Sequence, residues 1–155
     1  MHGRIFQLEL NPVPRSERID SSDIPGWFSY ISDFTDDCVD VEYSTEWLLK
    51  GAIGNVASLL GDKLVFDEWD VRRRYFVDKY KKFVKAAGEL SSVAFDDFIS
   101  TCGVDMIMRR LSEAYDDKYG FYVFSEGELC TLDDFMRTVK DGETYYLGGI
   151  VDYHY

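Results

Sequence analysis

Histidine is nearly absent from this chain. There are two, His2 and His154, one close to each end. A nucleophile activated by imidazole would rest on these two residues, and no spacing in the sequence supports one. His2 reads as a frayed end. His154 shares a strand face with Asp152, the pattern of a polar sheet edge. Cysteine is scarce too. Cys38, Cys102 and Cys130 are far apart and form no Cys-x-x-Cys pair, which argues against both a disulfide framework and a zinc site. Each reads as a small buried apolar residue of a reduced chain. Apolar runs stop at about five residues, as at Gly120 to Phe124, far short of a membrane span. The start, Met1-His2-Gly3-Arg4, has no signal-peptide core. These absences predict a cytoplasmic protein that holds no metal or cofactor.

Positive charge is also in short supply. Lys and Arg number 17 against 29 Asp and Glu, a net charge of −12. That balance disfavours direct binding to nucleic acid or to an anionic membrane. No Gly-rich phosphate loop is present. Gly51-Ala52-Ile53-Gly54 matches a GxxG pattern but falls within an expected helix, where close helix packing explains it.

What is present describes one globular domain, residues 1–155, with 46% apolar and 30% charged residues. Residues 4–10 alternate like a half-buried strand, ended by Pro12 and Pro14. Ile24, Trp27, Phe28, Ile31, Phe34, Cys38 and Val41 recur at spacings of three and four and predict a helix. Ser44 or Thr45 opens a further helix to about Leu60, stopped by Gly61. Lys63 to Phe66 reads as a short strand. A long helix follows, Glu68 to Leu90, with Trp69, Phe76, Tyr80, Phe83 and Ala87 as its buried stripe. Helices are expected from Ser91 through Ile99, interrupted by Gly103, and from Val104 to Asp116. Gly120 to Ser125 is a buried strand. Thr131 caps a helix to Lys140. Thr144 to Tyr155 is a strand broken or folded back at Gly148-Gly149. The expected class is α+β, with five or six helices packed beside a small antiparallel sheet of three or four strands.

The charge is unevenly spread. Residues 1–70 net −9, residues 71–90 net +5 and residues 91–155 net −8. The basic helix has two readings, a nucleic-acid-binding helix or an amphipathic helix that pairs with the surrounding carboxylates. The second is favoured, because phosphate binding is chiefly electrostatic and the body around it is acidic. The acids cluster: Asp33, Asp36, Asp37 and Asp40; Asp116 and Asp117; Asp133 and Asp134. On a continuous helix the first four share one face at i, i+3, i+4 and i+7, opposite the apolar stripe. These eight aspartates are the candidate partner-binding residues, although an acidic face also serves plain solubility. Tyr145, Tyr146, Tyr153 and Tyr155 crowd the last strands, more than one sheet face can hide, which suits an interface.

Gly3-Arg4-Ile5-Phe6-Gln7-Leu8, Trp27 and Glu46-Trp47-Leu48 resemble small acidic proteins of gut Gram-positive bacteria and their mobile elements. In general character the chain is similar to anti-restriction and anti-CRISPR proteins. That resemblance implies a non-enzymatic inhibitor. The expected function is therefore an acidic binding protein for a basic protein surface, most concretely a DNA mimic acting on a nuclease or another nucleic-acid enzyme. A regulatory adaptor whose acidity only solubilises, and a carboxylate-based enzyme, are the other readings.

Overall fold

β1 (His2–Glu9) is buried on both faces, because it lies in the middle of the sheet. In the computed structural model, which describes residues 1–100 and 102–155, β1 pairs antiparallel with β7 (Thr144–His154) and parallel with β5 (Tyr122–Ser125). Beyond β5 lies β6 (Glu128–Thr131), joined to it by a Glu126-Gly127 turn with positive φ at both residues. The far side of β7 is shared. β4 (Lys63–Phe66) takes its first residues and β2 (Phe34–Asp37) its last. β3 (Ala57–Leu60) forms a hairpin with β4 over Gly61, whose φ of 65° suits a residue without a Cβ.

Among the described residues, this is one mixed sheet of seven strands. The expected small antiparallel sheet of three or four strands is therefore corrected. Its four recognised strands, β1, β4, β5 and β7, do lie in one sheet, but β1 and β5 run parallel. β2 and β3 were hidden inside apolar spacings that read as helix. β6 falls between the strand expected to end at Ser125 and the helix expected to start at Thr131, where no element was expected.

The helical expectations change with them. Residues 24–41 hold a short 3-10 turn, Gly26–Tyr30, and then β2, not one helix. The next helical run passes through α1 (Val41–Tyr43), a wide turn over Ser44–Leu49 and α2 (Lys50–Ile53), and stops at Gly54 rather than Gly61. α3 (Val71–Ser91) forms as expected. Its first free N–H groups, Asp70 N and Val71 N, donate to the Asp141 carboxylate at 2.9 Å each. However, Trp69 and Tyr80 of its expected buried stripe are exposed, and only Val71 and Ala86 are buried along it. α4 (Phe95–Ser100), α5 (Cys102–Tyr115) and α6 (Leu132–Thr138) complete the chain, and Gly103 lies inside α5 rather than breaking it. Cys38 and Cys130 are half-buried, and the expected burial of Cys102 falls outside the described side chains.

The two faces of the sheet carry two cores. Phe6 and Leu8 join Leu49, Ile53, Leu64, Phe66, Val123 and Met136 under the helices. Ile5, Tyr122, Val151 and Tyr153 meet Ile19 and Phe28 of the segment after β1. That segment is tied down by Gln7, a buried amide. Its Oε1 accepts from Ile19 N at 2.9 Å and Gly149 N at 2.8 Å, and its Nε2 donates to the Glu17 carbonyl at 3.1 Å. β7 continues as one strand through Gly148-Gly149, but its register with β1 shifts there, between Phe6 and Leu8. Glycine is needed there because a Cβ would strike the Gln7 amide at Gly148 and the Ile19 backbone at Gly149.

Candidate functional site

β2 carries the first acidic cluster on a sheet edge. Asp33, Asp36, Asp37 and Asp40 are all exposed, but they do not share a helix face. Asp36 and Asp37 alternate across a strand and point to opposite faces. Asp33 precedes the strand and lies 3.5 Å from Nδ1 of His154. Asp40 caps α1, its carboxylate accepting from Tyr43 N at 3.0 Å. The strand is held in place by its antiparallel ladder with β7 and by Phe34, which stacks on His154 at 5.3 Å; Asp36 lies opposite Asp152 in the register. Asp152 is itself neutralised by Arg4 at 2.5 Å, with His2 Nδ1 3.5 Å away. His2 is thus an ordered strand residue paired with His154, not a frayed end.

The edge extends beyond these four. The Asp37 carboxylate accepts from Ser21 N at 2.9 Å, which brings the Asp20–Asp23 turn alongside. In that turn Asp20 accepts from the hydroxyl and N–H of Ser22, and both bonds hold its carboxyl below the usual range. Asp20, Asp23, Asp33, Asp36, Asp37, Asp40, Glu42 and Glu46 are all exposed, and the chain has no cation between Arg18 and Lys50. Large apolar side chains stand among them. Val39 is 99% exposed, Tyr30 88% and Trp47 72%. At the α1 end an open hollow of about 520 Å³ is lined by Asp40, Glu42, Tyr43, Glu46, Trp47 and Lys50. Carboxylates beside an indole and a phenol are groups that can receive a Lys or Arg side chain, through charge and through the ring faces. Lys50 is held back at one side by Glu46, at 2.8 Å. Tyr43 and Glu42 were not singled out from the sequence, and Glu46 and Trp47 entered only through the resemblance, not as site residues. Their spacing of four, Tyr43 to Trp47 and Glu42 to Glu46, was the signal that could have found them.

The second group of aspartates comes together elsewhere, and there it builds structure. Asp133 is buried, with its carboxylate accepting from Tyr75 Oη at 2.9 Å, Lys79 Nζ at 3.0 Å and Asp117 N at 2.9 Å. Burial and the adjoining Asp133 carboxylate raise the Tyr75 hydroxyl well above its ordinary range. Asp116 accepts from the Thr131 hydroxyl at 2.5 Å, and Asp134 pairs with Arg137 at 2.8 Å. Asp117 is half-buried, and loss of hydration raises its carboxyl against the opposing pull of Tyr119 N and Lys79. These residues lie at or beside a cleft of about 410 Å³ between α3, the α5–β5 connection and the start of α6. The sequence placed all four on a free acidic surface. Asp133 cannot be part of one, because its lone pairs are spent inside the protein.

Among the described residues no group of three or more His, Cys, Asp or Glu side chains is arranged to hold a metal ion, and no helix is long and apolar enough to cross a membrane. Set against family models, curated proteins and solved structures, the chain matches none.

Proposed function

We propose that the protein is a non-enzymatic binding protein whose acidic edge, from the Asp20 turn through β2 to Glu46, takes a basic surface of another protein. The observation that carries this reading is the hollow where Asp40, Glu42 and Glu46 surround Tyr43 and Trp47 at the end of an edge with no cation between Arg18 and Lys50. An acidic field of this kind, opposed in the hollow only by Lys50, steers a cationic partner, and exposed aromatic side chains supply the desolvated contact that charge alone lacks. In its most concrete form the edge imitates nucleic acid on a nuclease or another nucleic-acid enzyme. Its carboxylates occupy the Lys/Arg groove that would otherwise hold phosphates. The protein itself does not bind nucleic acid near physiological salt.

The test is affinity capture from the lysate of the source cells with the parent chain and with Asp33, Asp36, Asp37 and Asp40 all changed to Asn. Asn still caps α1, so the fold is kept. A nucleic-acid enzyme captured by the parent, lost in the variant and released by salt is the expected result. A partner indifferent to both changes overturns the reading. Trp47→Ala separates the two contributions: it should speed dissociation, whereas the Asp→Asn changes should chiefly slow association.

A further inference from the structure

The chain contains two versions of one helix start: Phe95-Asp96-Asp97-Phe98-Ile99 in α4 and Leu132-Asp133-Asp134-Phe135-Met136 in α6. In α6 the three apolar positions are buried, and Asp133 docks on Lys79 and Tyr75 of α3. In α4 the same three positions are open: Phe95 is 75% exposed, Phe98 64% and Ile99 62%. Asp96 and Asp97 make no ion pair among the described residues. α4 therefore has the pattern of a core helix but lies on no core.

α3 offers an unused surface of matching kind. It packs on α5 through Phe83, which meets Tyr115, and Glu89, which pairs with Arg110 at 2.5 Å. Val77, Tyr80 and Val84 recur at three and four residues, roughly a quarter-turn round the helix from Phe83 and on the side away from Glu89. All three are exposed. Arg73, Lys81 and Lys85 border the stripe. Arg73 and Lys85 have no ion pair among the described residues, and Lys81 has only the exposed Asp78.

We propose that these two surfaces cover each other between two copies of this chain. By two-fold symmetry, α4 of each copy lies on α3 of the other. Phe95, Phe98 and Ile99 pack on Val77, Tyr80 and Val84, and Asp96 and Asp97 face Lys81 and Lys85. Charge complementarity favours a second copy as the occupant. Residues 71–90 are the basic segment of a chain whose remaining parts net −9 and −8, so the cations that suit Asp96 and Asp97 are its own. A self-complementary patch satisfies both halves at once. The contact of α6 with α3 within one chain shows the same chemistry already in use. This interface is independent of the acidic edge.

Analytical ultracentrifugation at micromolar to tens-of-micromolar concentration should show a mass twice the 18.0 kDa of the chain, falling towards one copy on dilution. The double changes Lys81→Glu with Lys85→Glu, and Asp96→Lys with Asp97→Lys, should each give a single copy with an unchanged circular dichroism spectrum. Mixing the two variants should restore the doubled mass, because each then meets opposite charge at both contacts. Phe98→Asp should abolish assembly, and neither charge variant should rescue it. A parent that stays a single copy throughout, or reversed variants that do not recover on mixing, overturns the proposal. So does a doubled mass that persists in both charge variants.

Discussion

Gln7 is buried at the point where the sheet, the segment after β1 and the Gly148-Gly149 stretch of β7 meet. Both of its amide heavy atoms are used, and each partner is a main-chain group. Replacing it with Leu would keep most of the volume and strand two N–H groups and one carbonyl. An unsatisfied buried polar group costs about 1–3 kcal/mol, so Gln7→Leu should lower stability by about 3 kcal/mol in urea denaturation. A change below 1 kcal/mol would mean that water or a shifted loop replaces the amide. The alternation of residues 4–10 was legible, and it placed Gln7 on one side with Ile5 and Glu9. The burial of Gln7 was not legible, because it depends on a loop that covers this face only in the folded chain.

Among the elements, the glycines divide by what surrounds them. Gly149 lies against the backbone of Ile19, whereas Gly88 in α3 has open space where a Cβ would stand. Gly149→Ala should destabilise by about 1–3 kcal/mol, as overpacking does. Gly88→Ala should stabilise by about 1 kcal/mol through helix propensity. Denaturation midpoints of the two variants should move in opposite directions, and a fall for both would mean that Gly88 is also needed for a contact. Elements with one dominant signal were readable: β1, β4, α3, and α6 with Thr131 as its cap, the Thr131 side chain accepting from Asp134 N. β2 was not, because Ile24, Trp27, Phe28, Ile31 and Phe34 recur at helical spacing while the chain is turning. Their apolar side chains do not form one stripe. Phe28 enters the second core, and Trp27 and Phe34 remain exposed.

For the whole molecule the net charge is −12, and residues 19–49 carry eight of the acids with no Lys or Arg among them. Self-repulsion of that kind destabilises the compact state and is screened by salt. Raising ionic strength from about 0.01 M to about 1 M shortens the screening length from about 30 Å to about 3 Å. The parent should therefore melt higher as salt rises. The variant with Asn at positions 33, 36, 37 and 40 should melt higher than the parent at low salt and respond less. Equal salt responses would mean that these four carboxylates do not feel one another.

Composition, charge segments and the absence of a catalytic motif belong to the sequence alone, since they are sums over residues and need no coordinates. Periodicity determined those elements whose burial follows local spacing. Tertiary structure decided which carboxylates are free and which are spent. Asp133 and Asp96 occupy the same position in nearly the same five-residue pattern, yet one is buried against Lys79 and the other is exposed. The reason is physical. The fate of a carboxylate depends on which cation or N–H the distant chain brings within about 3 Å. Here that was settled by α3 packing on α6, while the face of α4 that carries Phe95, Phe98 and Ile99 stays exposed.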